Sequence, residues 1–104
     1  SLLPSFKGLN THERALEAGV RFSGCTIHFV RAAMDDGPII SQAVIPIQPD
    51  DTPQSLASRV LLLEHKTYPT AVRMIAEGRV RVKGNSVTIK DANFTIDPMI
   101  NPTA

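Results

Sequence analysis

The sequence predicts an α/β fold, a mixed β-sheet flanked by helices, on three observations. Two β-rich runs, 25–31 and 38–47, flank the acidic turn Met34-Asp35-Asp36-Gly37. A long stretch opening at Thr52-Pro53 repeats apolar residues at helical spacing. Runs 79–83 and 86–90 alternate cleanly around Gly84-Asn85. The chain therefore supplies two central strands, two helices and a C-terminal hairpin. A rigid sheet frees a strand-end loop to face ligand, which makes Asp35 the first candidate for chemistry.

Composition excludes several classes. The 104 residues, 42% hydrophobic with net charge +1, suit one ordinary globular domain or a piece of one. No apolar run approaches the roughly 20 residues that span a bilayer, and Ser1-Leu2-Leu3-Pro4 lacks signal-peptide character, so no membrane association and a cytoplasmic location are expected. Mixed charges, no Trp and one Tyr argue against a nucleic-acid surface. Cys25 is the single cysteine and reads as a small buried hydrophobe at a strand start. The opening without Met is read as a chain that begins mid-protein.

Residues 1–10 contain Pro4 and Gly8 without periodicity and read as a loop. Thr11 is the expected N-cap of a short helix over 12–18, with Gly19 as its left-handed stop. In the first strand Cys25, Ile27 and Phe29 form the expected core face, and Thr26, His28 and Val30 the other. His28 is thereby a neighbour of the loop carrying Asp35. The start of the second strand, apolar on both faces, is expected to be covered on both sides, with Pro46 near its end.

Thr52 as N-cap and Pro53 at the first helical position start the long helix. Leu56, Val60, Leu63, Ala71 and Met74 mark its core face. Pro69 is expected to kink it near 65–68, or to split it in two, before an end at Gly78. Glu64 and His65 are its polar exceptions. One reading is an exposed or ion-paired Glu beside a His; the other is a small polar site at the kink, where Glu64 accepts hydrogen bonds from a ligand. The last hairpin carries basic outer positions, and 91–104 reads as an irregular tail.

The chemistry-bearing residues are few. Phosphate loops, GxGxxG, nucleophile elbows and helical zinc spacing do not occur, and no metal is expected. Asp35, His28, Glu64 and His12 remain, and a carboxylate beside a histidine supports proton transfer by stabilising imidazolium.

Ser1-Leu2-Leu3-Pro4-Ser5-Phe6-Lys7-Gly8, Thr11-His12, the run 24–30, Met34-Asp35-Asp36-Gly37-Pro38-Ile39-Ile40-Ser41-Gln42 and Glu64-His65-Lys66-Thr67-Tyr68-Pro69 together resemble the phosphoribosylglycinamide formyltransferases, from Ser1 to about Val82. The resemblance implies a three-layer, Rossmann-like formyltransferase fold, of which residues 1–104 form the C-terminal part of one domain, the N-terminal half being absent. It implies small-molecule substrates: 10-formyltetrahydrofolate as cosubstrate and the amine of glycinamide ribonucleotide as formyl acceptor, in purine biosynthesis. It makes Asp35 the aspartate that raises the pKa of a catalytic histidine. Arg31, Ala32, Ala33, Met34 and Asp35 border the folate, largely through backbone, and Leu61, Leu62, Leu63 and Glu64 contact the ribonucleotide. The family's Asn-x-His-Pro motif, which precedes Ser-Leu-Leu-Pro, does not occur here, so the 104-residue chain alone is expected to be inactive. Formyltetrahydrofolate deformylase is the enzymatic alternative. A non-catalytic piece that associates with copies of itself through an open sheet edge and an uncovered helix face is the other.

Overall fold

The computed structural model describes residues 2, 10–31 and 37–104. In order these form α1 (Thr11–Ala18), β1 (Phe22–His28), β2 (Ile39–Pro46), α2 (Pro53–Ala76), β3 (Val80–Lys83) and β4 (Ser86–Ile89). The strands and helices expected from the sequence are all present. Residues 1, 3–9 and 32–36, including Asp35, lie outside the described set.

β1 and β2 pair antiparallel from Phe22 opposite Pro46 to His28 opposite Ile39, with an irregularity between Ile27 and His28. β1 begins three residues before the expected start. Gly24 lowers strand propensity, yet here its missing side chain is required: a Cβ would stand 1.9 Å from the Ala43 carbonyl oxygen of β2. Val30 lies beyond the strand and is exposed.

α2 crosses one face of this ribbon and buries two clusters. Cys25, Leu56 and Val60 form the first, with Leu16 of α1, Ala43, Ile45, Ile47 and Leu63 packed around them. Ile40, Ala71 and Met74 form the second, joined by Ile27, Phe29, Val80 and Ile89. The expected core face of β1 is the observed one, and Cys25 is a buried hydrophobe. The second cluster also seats the β3–β4 hairpin on the C-terminal half of α2. β2 departs from expectation: Ile39 and Val44 stay partly exposed, because α2 covers only one face of the ribbon among the described residues.

Local chemistry sets the helix ends. Thr52 is the N-cap of α2: its side chain accepts from Ser55 N–H while Ser55 Oγ accepts from Thr52 N–H, and Pro53 follows. Arg59 ties this end to the sheet by donating to the Asp51 carboxylate and, at 2.7 Å, to the Pro46 carbonyl. Burial alone would raise the Asp51 pKa; hydrogen bonds from Gln48 N–H, Ser55 and Arg59 outweigh it and hold the carboxyl below its ordinary value. At α1 the expected cap is corrected by one residue. Thr11 is already helical, and Asn10 occupies the cap position with φ 56° and no side-chain cap bond. Asn tolerates this left-handed geometry better than Thr.

Pro69 neither ends nor splits α2, whose helical backbone runs unbroken through it. Proline denies the His65 carbonyl its helical donor, but packing at Leu56, Val60, Ala71 and Met74 on both sides holds the helix together. Gly78, at φ 72°, follows the cap residue Glu77. The last hairpin turns through Gly84-Asn85 between Lys83 and Ser86, with Gly84 at φ 61°, the positive value a two-residue turn with glycine first demands.

Candidate functional site

β1 delivers the chain to the loop that the sequence singles out, and β2 receives it. The loop closes on a narrow neck: Phe29 N–H donates to the Pro38 carbonyl at 2.9 Å. Gly37 sits so close behind it that a Cβ would lie 1.6 Å from the Phe29 carbonyl oxygen. That carbonyl accepts a 2.8 Å hydrogen bond from His28 Nδ1. A carbonyl cannot donate, so His28 carries its proton on Nδ1 and presents Nε2 as an acceptor when neutral. His28 is therefore a neighbour of the loop base, and its Nδ1 holds that base in shape.

Of the residues the resemblance assigns to the folate, only Arg31 is described; Ala32, Ala33, Met34 and Asp35 lie outside the described residues. The Arg31 guanidinium is turned onto the β3–β4 turn, donating to Asn85 Oδ1 at 2.8 Å and to the Gly84 carbonyl at 2.7 Å.

α2 and β1 together line a cavity of about 360 Å³, walled by Thr26, Ile27, Leu61, Glu64, His65, Tyr68 and Pro69. Leu61, Glu64, His65 and Tyr68 recur every three or four residues and so share one helix face. The cavity is mainly apolar, with a carboxylate, an imidazole, a phenol and a hydroxyl at its edges, the make-up of a small-molecule site. It lies beside Pro69, where the helix continues unbroken, and it is mainly apolar where the sequence offered a small polar site at a kink. Two of the four residues assigned to the ribonucleotide, Leu61 and Glu64, line it. Leu62 is exposed and not among the lining residues, and Leu63 packs on the first core cluster. The sequence reading passed over Tyr68 and Thr26 as lining residues. Tyr68 was legible through its spacing from Leu61 and Glu64; Thr26 was not, because nothing local says which edge of β1 faces the helix.

His12, half-buried near the start of α1, joins this neighbourhood electrostatically. Burial, the largest influence, pulls its imidazole below the ordinary value, and the Glu64 carboxylate acts against that pull. Among the described residues no group of three His, Cys, Asp or Glu side chains is placed to hold a metal ion, and no helix is long and apolar enough to cross a membrane.

Comparison with known proteins gives a consistent result. Residues 1–72 match the formyl transferase family. The trifunctional purine biosynthetic protein adenosine-3 of Bos taurus is 51% identical over 82% of this chain and 8% of its own length. The phosphoribosylglycinamide formyltransferase of Haemophilus influenzae is 44% identical over 82% of this chain and 40% of its own. Among solved structures, glycinamide ribonucleotide transformylase 1 of Symbiobacterium toebii superposes with a TM-score of 0.85 at 50% identity, covering 88% of this chain and 43% of that one. A formyltetrahydrofolate deformylase of Pseudomonas syringae superposes as well, with a TM-score of 0.84, but at 32% identity over 88% of this chain and 30% of its own. The chain thus spans less than half the length of each of these relatives, and the α/β fold expected from the sequence is the fold it shares with them. On the match over 1–72 and this likeness, the chain belongs to the formyl transferase family.

Proposed function

We propose that this chain is the C-terminal portion of a folate-dependent phosphoribosylglycinamide formyltransferase, acting in the cytoplasm in purine biosynthesis. The observation that carries the reading is the cavity of about 360 Å³ beside β1, lined by both Leu61 and Glu64. The higher identity to transformylases than to the deformylase favours amine over water as formyl acceptor.

In this reading the cavity receives glycinamide ribonucleotide, with Glu64 accepting hydrogen bonds from its hydroxyl or amine groups. 10-Formyltetrahydrofolate supplies the formyl group. The Arg31 side chain is spent on the hairpin turn, which suits a folate contact made through backbone rather than through that guanidinium. The substrate amine attacks the formyl carbon, the bond from that carbon to folate N10 breaks, and the amine proton passes to N10. Asp35 raises the pKa of a histidine supplied from outside this chain, so that imidazolium persists near neutral pH and moves that proton.

The test joins this chain to the N-terminal portion of the Symbiobacterium toebii enzyme. The extended enzyme is expected to transfer formyl to glycinamide ribonucleotide, and the 104-residue chain alone is not. Asp35→Asn in the extended enzyme is expected to lower turnover by orders of magnitude with an unchanged melt. Unchanged turnover would sink the role of Asp35, and release of formate in place of transfer would favour the deformylase.

A second reading rests on a separate observation. Leu61, Leu62, Tyr68, Val72 and Ile75 leave a large exposed apolar surface on α2. A chain that stands alone with that surface would associate with copies of itself.

A further inference from the structure

We propose that the C-terminal tail, 91–104, is a strap that bars the outer edge of β2 from pairing with a second copy of this chain.

The register of β2 shows what that edge offers. Ile47 N–H donates to the Arg21 carbonyl at 2.9 Å, and the pairing continues through Ile45 opposite Ser23 and Ala43 opposite Cys25. Opposed residues of an antiparallel pair alternate between bonded and unbonded, so Ala43, Ile45 and Ile47 turn their backbone groups toward β1, and Val44 and Pro46 turn theirs away. Pro46 brings no N–H to the outer edge, and its carbonyl accepts from Arg59 at 2.7 Å. Val44 brings both an N–H and a carbonyl, neither with a partner among the described residues, and the residue is 41% exposed. The strand IISQAVIP carries no charge, so two copies brought edge to edge meet no repulsion. Antiparallel pairing of two such edges about Val44 is a self-complementary contact, the kind that a second copy makes.

The tail is fastened at both ends of this edge. At its root Arg79 donates to the Lys90 carbonyl at 2.8 Å and to the Asp91 carbonyl at 2.7 Å. Residues 91–95 then share a cavity of about 570 Å³ with residues 39–42 of β2. Consecutive strand residues face opposite sides, so a cavity lined by all four lies at the edge of the strand. At the far end the Asn101 side-chain amide donates to the Arg21 carbonyl at 2.7 Å and to the Ile47 carbonyl at 3.2 Å. Thr95 to Asn101 is a reach of about 20 Å, and Gln42 to Ile47 along a strand is about 17 Å. The tail is therefore drawn nearly straight past the middle of β2.

The strap covers the edge without extending the sheet. Among the described residues no backbone hydrogen bond joins the tail to β2, and Pro98 has no N–H to offer a further strand. Phe94 is 75% exposed, Ile96 91% and Ile100 72%, so the two fastenings and not burial hold the strap in place. Breaking the Asn101 clasp should release it.

The test is sedimentation velocity on the 104-residue chain over a range of concentrations, with far-UV circular dichroism to follow the fold. Asn101→Ala and a chain ended after Lys90 are each expected to self-associate severalfold more tightly than the parent. Adding Val44→Lys, which places a charge at the centre of the edge, is expected to return both to the parent level. Association through the exposed apolar surface of α2 is common to all of these proteins, so the difference from the parent is what is read. Association equal to the parent in both released chains overturns the strap, as does a rise that persists with Val44→Lys. Where the shortened chain loses its helical signal, Asn101→Ala alone decides. Weaker association on Val44→Lys in the otherwise unchanged chain also overturns it, because the edge would then be open with the tail in place.

Discussion

Replacing Gly37 by alanine tests the loop neck most directly. An alanine Cβ would stand 1.6 Å from the Phe29 carbonyl oxygen, where real Cβ contacts stay beyond 3.0 Å. The two backbone segments must part by about 1.4 Å, and neither is a pliable side-chain tip. Such a movement breaks the 2.9 Å bond from Phe29 N–H to Pro38 and misaligns the 2.8 Å bond from His28 Nδ1. At roughly 0.5–1.5 kcal/mol net for each bond, the expected destabilisation is about 2 kcal/mol. In the extended enzyme, at its larger size, that lowers Tm by roughly 4–8 °C. Urea denaturation of the extended enzyme measures it, and hydrogen exchange localises it to 29–38. Gly78→Ala is the control. Gly78 has φ +72° with nothing within 4 Å of a Cβ, so that substitution meets backbone strain alone, roughly 1–2 kcal/mol, and leaves the neck intact. A Gly37→Ala protein within about 0.5 kcal/mol of the parent, or one whose 29–38 amides exchange as before, would refute the close-approach reasoning.

Three further outcomes are expected. Leu56→Ala, at a fully buried position, should cost about 2–5 kcal/mol in urea denaturation, and a cost under about 1 kcal/mol would mean that the first core cluster collapses around the loss. Because the folded-state pKa of Asp51 is depressed, its contribution to stability is present above the unfolded value of about 3.9 and disappears as pH falls through the lower folded value. Parent and Asp51→Asn midpoints should therefore differ at about pH 6 and draw together as pH falls below the unfolded carboxylate value, whereas a constant gap would show that the carboxylate charge is not what matters. Glu64→Ala should raise KM for glycinamide ribonucleotide by about 10- to 100-fold if the carboxylate makes charge-assisted bonds to it, and an unchanged KM would detach the cavity from that substrate.

What was legible in the sequence was the chemistry of single residues and short spacings. Thr52-Pro53 announces the start of α2, and Gly84-Asn85 announces the hairpin, because cap and turn geometries depend on the few residues that form them. The division of α2 was legible in part. Leu56, Val60, Ala71 and Met74 are buried as their spacing implies, but Leu63 goes to the core and Leu61 to the cavity, a choice made by the sheet beneath them. Propensity misled at three places where packing decided. Gly24 concealed the start of pairing in β1, Thr11 outranked Asn10 as a cap, and Pro69 suggested a kink or a split in a helix that runs through it without a split. The clasp from Arg31 to the hairpin was out of reach for any local reading, since its partners lie more than fifty residues downstream.

The irregular tail ends in a fastening of its own. Asn101 donates from one amide nitrogen to the Arg21 carbonyl at 2.7 Å and to the Ile47 carbonyl at 3.2 Å, bridging the chain just before β1 and just after β2. Ageing of asparagine ordinarily proceeds when the backbone nitrogen of the next residue attacks the side-chain amide and expels ammonia. Here the next residue is Pro102, which has no N–H to lose. Conversion to aspartate would set a carboxylate against two carbonyl oxygens and undo the bridge. The residue that shuts the open end of the sheet thus stands in a sequence context that slows its own chemical decay, and a protein stored for long periods should retain this amide while asparagines with ordinary neighbours are lost.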